Sequence, residues 1–361
     1  MSRHQFGARP CPPKSPNRRA LPAMRVGLRR FSSSTARWNV AIVGSGPAGF
    51  YAADFLLKKN EHVHVTMFER LPAPYGLVRY GVALWERLRW RAAAARAAAA
   101  ELGPRIEIAA LRSAYDAVLL SYGASASRSL GVPGEDLRGV HPAREFVAWY
   151  NGHPEWEGEG FDLSRVETVV VVGNGNVALD CARVLAKDVD ELAPTDIFTI
   201  KELRELTKLA GVSTSIEAPP DAFSAAVLAA AAEDRPRKRL VELMKSLVPE
   251  GGSGGGGGVE RRSVRLQFQR SPVEFVEGGG GRLGAVRVAA TELQGAPGAS
   301  QRAAAVAGSE EEVPCELALT SVGYRSLPIE GVPFDEARSD RDLAEVWPRD
   351  GRGMAEVWPR Y

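Results

Sequence analysis

The sequence predicts an α/β protein built on two parallel sheets, and one repeated pattern carries that prediction. A short apolar strand, a Gly-x-Gly turn and an apolar helix occur twice, with first glycines at Gly44 and Gly173, 129 residues apart. Strands that alternate with helices are the signature of a parallel sheet covered by helices. Bulk composition agrees: 361 residues, 45% hydrophobic and 25% charged, are globular proportions at a length that suits two domains. A collagen-like chain, a disulfide miniprotein and a fully disordered chain are excluded. No apolar run reaches the roughly 18 residues that a membrane-spanning helix needs.

Residues 1–38 hold nine Lys/Arg and no Asp or Glu, and the first acid of the chain is Asp54. This Arg-rich, acid-free leader, ending in Phe31-Ser32-Ser33-Ser34-Thr35, reads as a mitochondrial transit peptide. The remainder carries 37 basic against 44 acidic residues, a net of −7 that speaks against general nucleic-acid binding. Cys11, Cys181 and Cys315 are far apart, so neither a disulfide framework nor a structural zinc site is expected.

Order is expected from Asn39. Val40–Val43 is a buried strand, Gly44 to Gly49 a turn, and a helix follows to about Lys59. A second strand runs from Val63 to Phe68 and ends at Glu69. Leu71 to Gly76 is a loop by its prolines and glycine. The alanine-rich stretch 91–100 has high helix propensity but little to pack, so it reads either as a surface helix or as sequence outside any fold. Val118 to Gly123 is a strand ending in glycine, and Arg144 to Trp149 is helical. Thr168 to Val172 opens the second copy of the pattern, with a helix through Leu185. Glu202–Leu209 and Arg237–Leu247 are expected helices. Gly251–Gly258 reads as a flexible linker; strands follow at 264–269, 284–290 and 316–322. The hexapeptide Ala344-Glu345-Val346-Trp347-Pro348-Arg349 returns as Ala355 to Arg360, with no structural repeat evident in it.

The glycines define the chemistry. Gly44 permits a tight turn, Gly46 lets the backbone approach a pyrophosphate, and Gly49 allows the helix to pack closely on the strand. Phosphates would sit at the positive end of that helix. Glu69, 25 residues beyond Gly44, is placed to hold a ribose hydroxyl pair. The second turn, Gly173-Asn174-Gly175-Asn176-Val177-Ala178, replaces the third glycine by alanine, and no acid follows at the ribose position. That absence is compatible with a 2′-phosphorylated nucleotide. Two such turns imply electron passage between a flavin and a nicotinamide dinucleotide, with no side chain required as nucleophile or base. Neither a Ser/His/Asp set nor a metal cluster is visible, and His153 reads as an exposed loop residue. Arg235, Arg237, Lys238 and Arg239 form a cationic run that reads equally as a solvated helix start or as a dock for an acidic protein.

Several blocks together resemble the mitochondrial adrenodoxin (ferredoxin) reductase family. They are Val43 to Tyr51, Pro74 to Ala83, Val118 to Gly123, Phe146 to Gly152, Gly173 to Asp180, Thr199 to Glu205, Arg235 to Leu240 and Ser321 to Tyr324. The resemblance implies two Rossmann-like domains with parallel sheets, the FAD domain being discontinuous. It implies FAD, NADPH as electron donor, and a [2Fe-2S] ferredoxin (adrenodoxin-like) as acceptor, in the mitochondrial matrix and at most peripheral to the inner membrane. Its FAD contacts map to Ala48, Glu69, Leu77 and Ile108, its NADPH contacts to Gly175–Ala178 and Glu202, and its ferredoxin-docking cations to Arg235 and Arg239. The implied domains are 1–38 for targeting, 39–134 for FAD, 135–325 for NADP and 326–361 returning to the FAD domain.

Three departures from the family pattern stand beside this. Leu84 to Ala100 replaces a loop and helix. After Ile197 the chain proceeds directly to Phe198, without the strand and paired arginines that hold a 2′-phosphate. No Gly/Trp-rich block follows Phe334. They support a second reading, a catalytically defective fragment or paralogue that retains only ferredoxin or partial nucleotide binding.

Overall fold

The structure, a computed structural model, describes residues 37–71, 74–77, 81, 99–101, 106–156, 160–186, 203–204, 206–217, 223, 225–232, 235–249, 262–294, 302–334, 344–348 and 355–357. The expected transit peptide (to residue 36), the linker 251–258 and Glu202 lie outside them, as does the Arg237 side chain.

The first sheet starts with β1 (Trp38–Val43), whose centre, Ala41 and Ile42, is fully buried. Helix α1 (Pro47–Lys59) has proline at its first turn, buries Gly49, Phe50 and Ala53, and ends in Lys58 and Lys59, cations suited to a helix C-terminus. Strand β2 (Val63–Glu69) returns parallel to β1 in the register Val40↔Val65, Val43↔Phe68. Strand β3 (Ala99–Glu101) extends the sheet beside β2, with Met67 opposite Ala99. Ala99 and Ala100 are therefore strand, not the helix their propensity suggests, because tertiary pairing outweighs a weak local preference. Helix α2 (Ile108–Ala114) precedes β4 (Ala117–Leu120), which pairs parallel on the other side of β1. β4 ends at Leu120, three residues short of the expected Gly123.

The described residues of the C-terminal hexapeptide repeat, in which no structural repeat was evident from sequence, form an antiparallel strand pair. β16 (Ala344–Pro348) and β17 (Ala355–Val357) pair antiparallel, Glu345 opposite Glu356, and β16 adds antiparallel to β4. The sheet order is β17-β16-β4-β1-β2-β3.

The second sheet is parallel, β6 (Val140–Pro142), β14 (Leu317–Thr320) and β7 (Val169–Val172), with β14 central and fully buried. Helices α3 (Ala143–Tyr150) and α4 (Asn176–Ala186) pack beside it. Phe146, fully buried, meets Phe161 edge-on at 5.2 Å within that core. A short ribbon joins the two halves: β5 (Ala126–Ser127) pairs with β15 (Tyr324–Arg325). Among the described residues, no strand pairs with the other edge of β7. The next strands, β8 (Val212–Glu217) and β9 (Arg262–Gln267), form their own parallel pair, and Arg262 Nη1 ties it to the end of α4 through the Ala186 carbonyl (2.9 Å).

Helices α5 (Ala225–Ala232) and α6 (Arg235–Ser246) lie between β8 and β9 in sequence. An antiparallel layer of β10 (Arg270–Gly279), β11 (Arg282–Gln294), β12 (Arg302–Ala305) and β13 (Glu311–Pro314) completes the fold. No described helix is long and apolar enough to cross a membrane.

Candidate dinucleotide sites

In both halves the glycine turn is built by the same device. Gly44 leaves β1 with φ +108°, and a Cβ there would lie 2.3 Å from the Ser121 carbonyl oxygen at the end of β4. Ser121 N in turn donates to Val43 O (2.8 Å). Gly173 leaves β7 with φ +125°, and its Cβ would lie 2.4 Å from the Ser321 carbonyl oxygen at the end of β14. Ser321 N donates to Val172 O (2.7 Å). Only glycine fits either position. The neighbouring strands end alike, in Ser121-Tyr122-Gly123 and Ser321-Val322-Gly323, a second internal echo that sequence reading missed although it was there to be seen.

The middle glycines face open space. A Cβ on Gly46 or on Gly175 would meet no protein atom within 4 Å. Gly46 is the N-cap of α1 in extended backbone with no side-chain cap, so the amides of the first helical turn face outward with the positive end of the helix dipole behind them. This is an anion cradle. Gly175 stands in the same place before α4, and its carbonyl accepts from Leu179 N (3.2 Å). The third positions differ. A Cβ on Gly49 would lie 2.1 Å from Gly44 O, whereas Ala178 keeps its methyl, almost fully buried.

The first turn is clamped from both sides. Glu69, at the tip of β2, accepts with Oε2 from Ser45 N (3.0 Å) and Ser45 Oγ (2.5 Å). Its Oε1 accepts from the backbone of Arg70 and Leu71. Opposite, Tyr75 N donates to Ser45 O (2.9 Å), and the Tyr75 ring stacks on Phe50 with centroids 4.7 Å apart. Ser45 is fully buried. At the second turn the equivalent Asn174 is exposed, as is Asn176, and Val177 packs partly into the core.

Ala48 lies in the first turn of α1, and Leu77 is exposed just beyond Tyr75. Ile108 is not beside them: its side chain is committed to the core with Phe68, Leu111 and Val118. His153 corrects its expectation, being 5% exposed instead of sitting in an open loop. Its Nδ1 accepts from Glu155 N (3.1 Å), and burial, with Arg144 and Arg70 nearby, holds its pKa below the ordinary histidine value. Arg70 itself pairs with Glu155, bridging the end of β2 to the segment after α3. Cys181 and Cys315 are free and buried, and burial raises both thiols, Cys315 up to about 12, which disfavours the reactive thiolate. On α6, Arg235, Lys238 and Arg239 are exposed, with Lys238 3.9 Å from Glu242.

A parallel strand, a glycine turn and a helix that starts at the turn, twice in one chain, define a dinucleotide-binding oxidoreductase. No protein-family model matches the chain. It is 34% identical to the Arabidopsis thaliana "NADPH:adrenodoxin oxidoreductase, mitochondrial", over 86% of this chain and 72% of that one. The Mus musculus protein of the same name is 38% identical over 85% of this chain and 70% of its own. The solved structure of Mycobacterium tuberculosis FprA in complex with NADPH superposes with a TM-score of 0.72, at 34% identity, over 84% of this chain and 74% of that one. The chain belongs to the NADPH:adrenodoxin oxidoreductase family.

Proposed function

We propose that this chain passes electrons from NADPH through FAD to an adrenodoxin-type [2Fe-2S] ferredoxin in mitochondria. The observation that carries the reading is the pair of matched glycine turns on two parallel sheets, in a chain whose relatives are named for NADPH and adrenodoxin.

FAD is assigned to the first turn. Gly44 and Gly49 bring the backbone close, the open side of Gly46 admits the pyrophosphate, and α1 supplies uncapped amides. Glu69 is the acid at the tip of β2 for the ribose, and Ala48 and Leu77 line the approach. Ile108, buried with Phe68, would act only through its backbone at the start of α2. NADPH is assigned to the second turn, Gly173 to Ala178, with Glu202. The flavin, when bound, takes a hydride from the nicotinamide and releases electrons one at a time, chemistry that belongs to the cofactor. The protein's part is to bind, orient and exclude water. Residues 39–134 and 326–361 form the FAD domain and 135–325 the NADP domain in this reading; the pairing of β16 on β4 supports the return of the chain to the first sheet. Residues 1–38 would direct import to the matrix, where association with the inner membrane is at most peripheral. The exposed cations of α6, Arg235, Lys238 and Arg239, with Arg237, would receive the acidic face of the ferredoxin.

One observation favours a second reading, a chain with only partial nucleotide binding. Among the described residues, no strand lies beside β7 where the first unit places β2 and Glu69.

Gly46→Val tests the FAD assignment cleanly. The new side chain meets no protein atom at its Cβ, so the variant should fold, yet it fills the space the pyrophosphate needs. Purified variant should carry no flavin beside a yellow wild type. Equal flavin content would move FAD away from this turn.

A further inference from the structure

We propose that Tyr75 is a positioning residue that aims the Gly46 amide at the dinucleotide phosphates. The inference rests on the assignment of FAD to the first turn and goes beyond it by naming what holds the turn's donor in place.

Tyr75 has φ +76°, a left-handed conformation that a bulky residue rarely takes. Gly76 is its immediate neighbour and could adopt positive φ freely, yet it does not. Strain on the tyrosine persists because two contacts over-determine it. Its ring lies nearly parallel to Phe50 of α1, at 18° and 4.7 Å, and its N–H donates to the Ser45 carbonyl at 2.9 Å.

The consequence falls one residue further on. Among the described residues there are no cis peptide bonds, so Ser45 C=O and Gly46 N–H share one planar trans peptide and point in opposite directions. Holding the carbonyl therefore sets the direction of the amide. Glu69 fixes the preceding Ser45 N–H and hydroxyl. Tyr75 and Glu69 together leave Ser45 no freedom to rotate, and the Gly46 N–H faces away from Tyr75. Gly46 is the glycine whose flank is open. A pre-aimed donor needs no reorganisation when an anion arrives, which is where binding strength is gained. Anchoring the ring on α1 is what turns the backbone of Tyr75 toward Ser45, so the side chain acts through the turn and touches no reacting atom.

The test uses the full chain, stripped of flavin and titrated with FAD, for wild type, Tyr75→Phe, Tyr75→Ala and Tyr75→Gly. Phe keeps the ring and should restore wild-type affinity and an unchanged visible flavin spectrum. Ala removes the ring and keeps the strain. Gly removes the ring but tolerates positive φ, so it folds even if Ala does not. Gly, and Ala where it folds, should weaken FAD by about tenfold, the effect of misaiming one charge-assisted hydrogen bond, and shift the flavin absorption bands. NADPH affinity at the second turn should be unchanged. Wild-type FAD affinity in Tyr75→Gly, or an equal loss in Tyr75→Phe, overturns the role of Tyr75 while leaving the first-turn assignment standing. A wild type that takes up no FAD overturns both.

Discussion

Gly49 and Ala178 occupy the same place in the two turns and are not interchangeable. A methyl on Gly49 would collide with backbone at 2.1 Å, whereas the methyl of Ala178 is buried without conflict. Gly49→Ala should therefore destabilise the protein by about 1–3 kcal/mol, the cost of overpacking. Ala178→Gly should cost about 1–2 kcal/mol, from lost helix propensity and the lost burial of one methyl. Urea unfolding midpoints of each variant against wild type would check both costs; an unchanged midpoint in Gly49→Ala would show that the first turn relaxes. His153 carries a second residue-scale prediction. Its folded pKa lies below the ordinary value of 6.5, so the unfolded chain binds the extra proton first. The stabilisation is complete above about pH 6.5 and is lost as pH falls through the depressed folded value. The thermal midpoint of wild type should drop more between pH 7.5 and 5.5 than that of His153→Gln, which stays neutral. The glycine turns were legible in sequence because spacing alone declares them, and so was the place of Glu69 at the end of its strand, but not its clamp on Ser45. Tyr75, Ser45 and the burial of His153 were not, because each depends on a partner distant in sequence or on a backbone angle that no residue pattern announces.

At the scale of elements, strong apolar runs such as β1, β2 and β7 could be read directly. Others were hidden for physical reasons. β10 contains Pro272 and two glutamates, which deny it a strand signature, yet it sits at a sheet edge where proline is tolerated. β3 is two alanines and a glutamate, and only pairing with β2 makes it a strand. The C-terminal repeat is the clearest case. Neither copy of Ala-Glu-Val has a partner within itself: the second copy pairs with the first, and the first pairs with β4. Removing residues 344–361 should uncover that edge, lowering the thermal midpoint and raising light scattering through edge-to-edge association. A truncated chain as stable and as monodisperse as the full one would show that the strand pair contributes nothing to the first sheet.

The two parallel sheets are one construction used twice: strand, glycine turn and helix, each set against a neighbouring strand ending in Ser-x-Gly, with a two-stranded ribbon between them. That duplication was legible from the glycine spacing. The structure adds how unequal the copies are, the first turn clamped by Glu69 and Tyr75, the second open at Asn174. Charge at this scale bears on the proposed docking of the ferredoxin. Arg235, Lys238 and Arg239 are exposed cations on a body of net −7, so Arg239→Glu should weaken ferredoxin binding by roughly tenfold or more at low salt. Wild-type binding should also fade as salt screens the patch over about 8 Å at physiological ionic strength. Calorimetric titration at two salt concentrations would read both effects, and equal affinity of variant and wild type would make α6 an ordinary solvated helix. The most direct test of the whole account is anaerobic addition of NADPH to the purified chain, followed in visible absorption. The account predicts a yellow protein with equimolar FAD, bleached by NADPH and reoxidised by added [2Fe-2S] ferredoxin. A folded but colourless chain, or bound flavin that NADPH leaves oxidised, would contradict it.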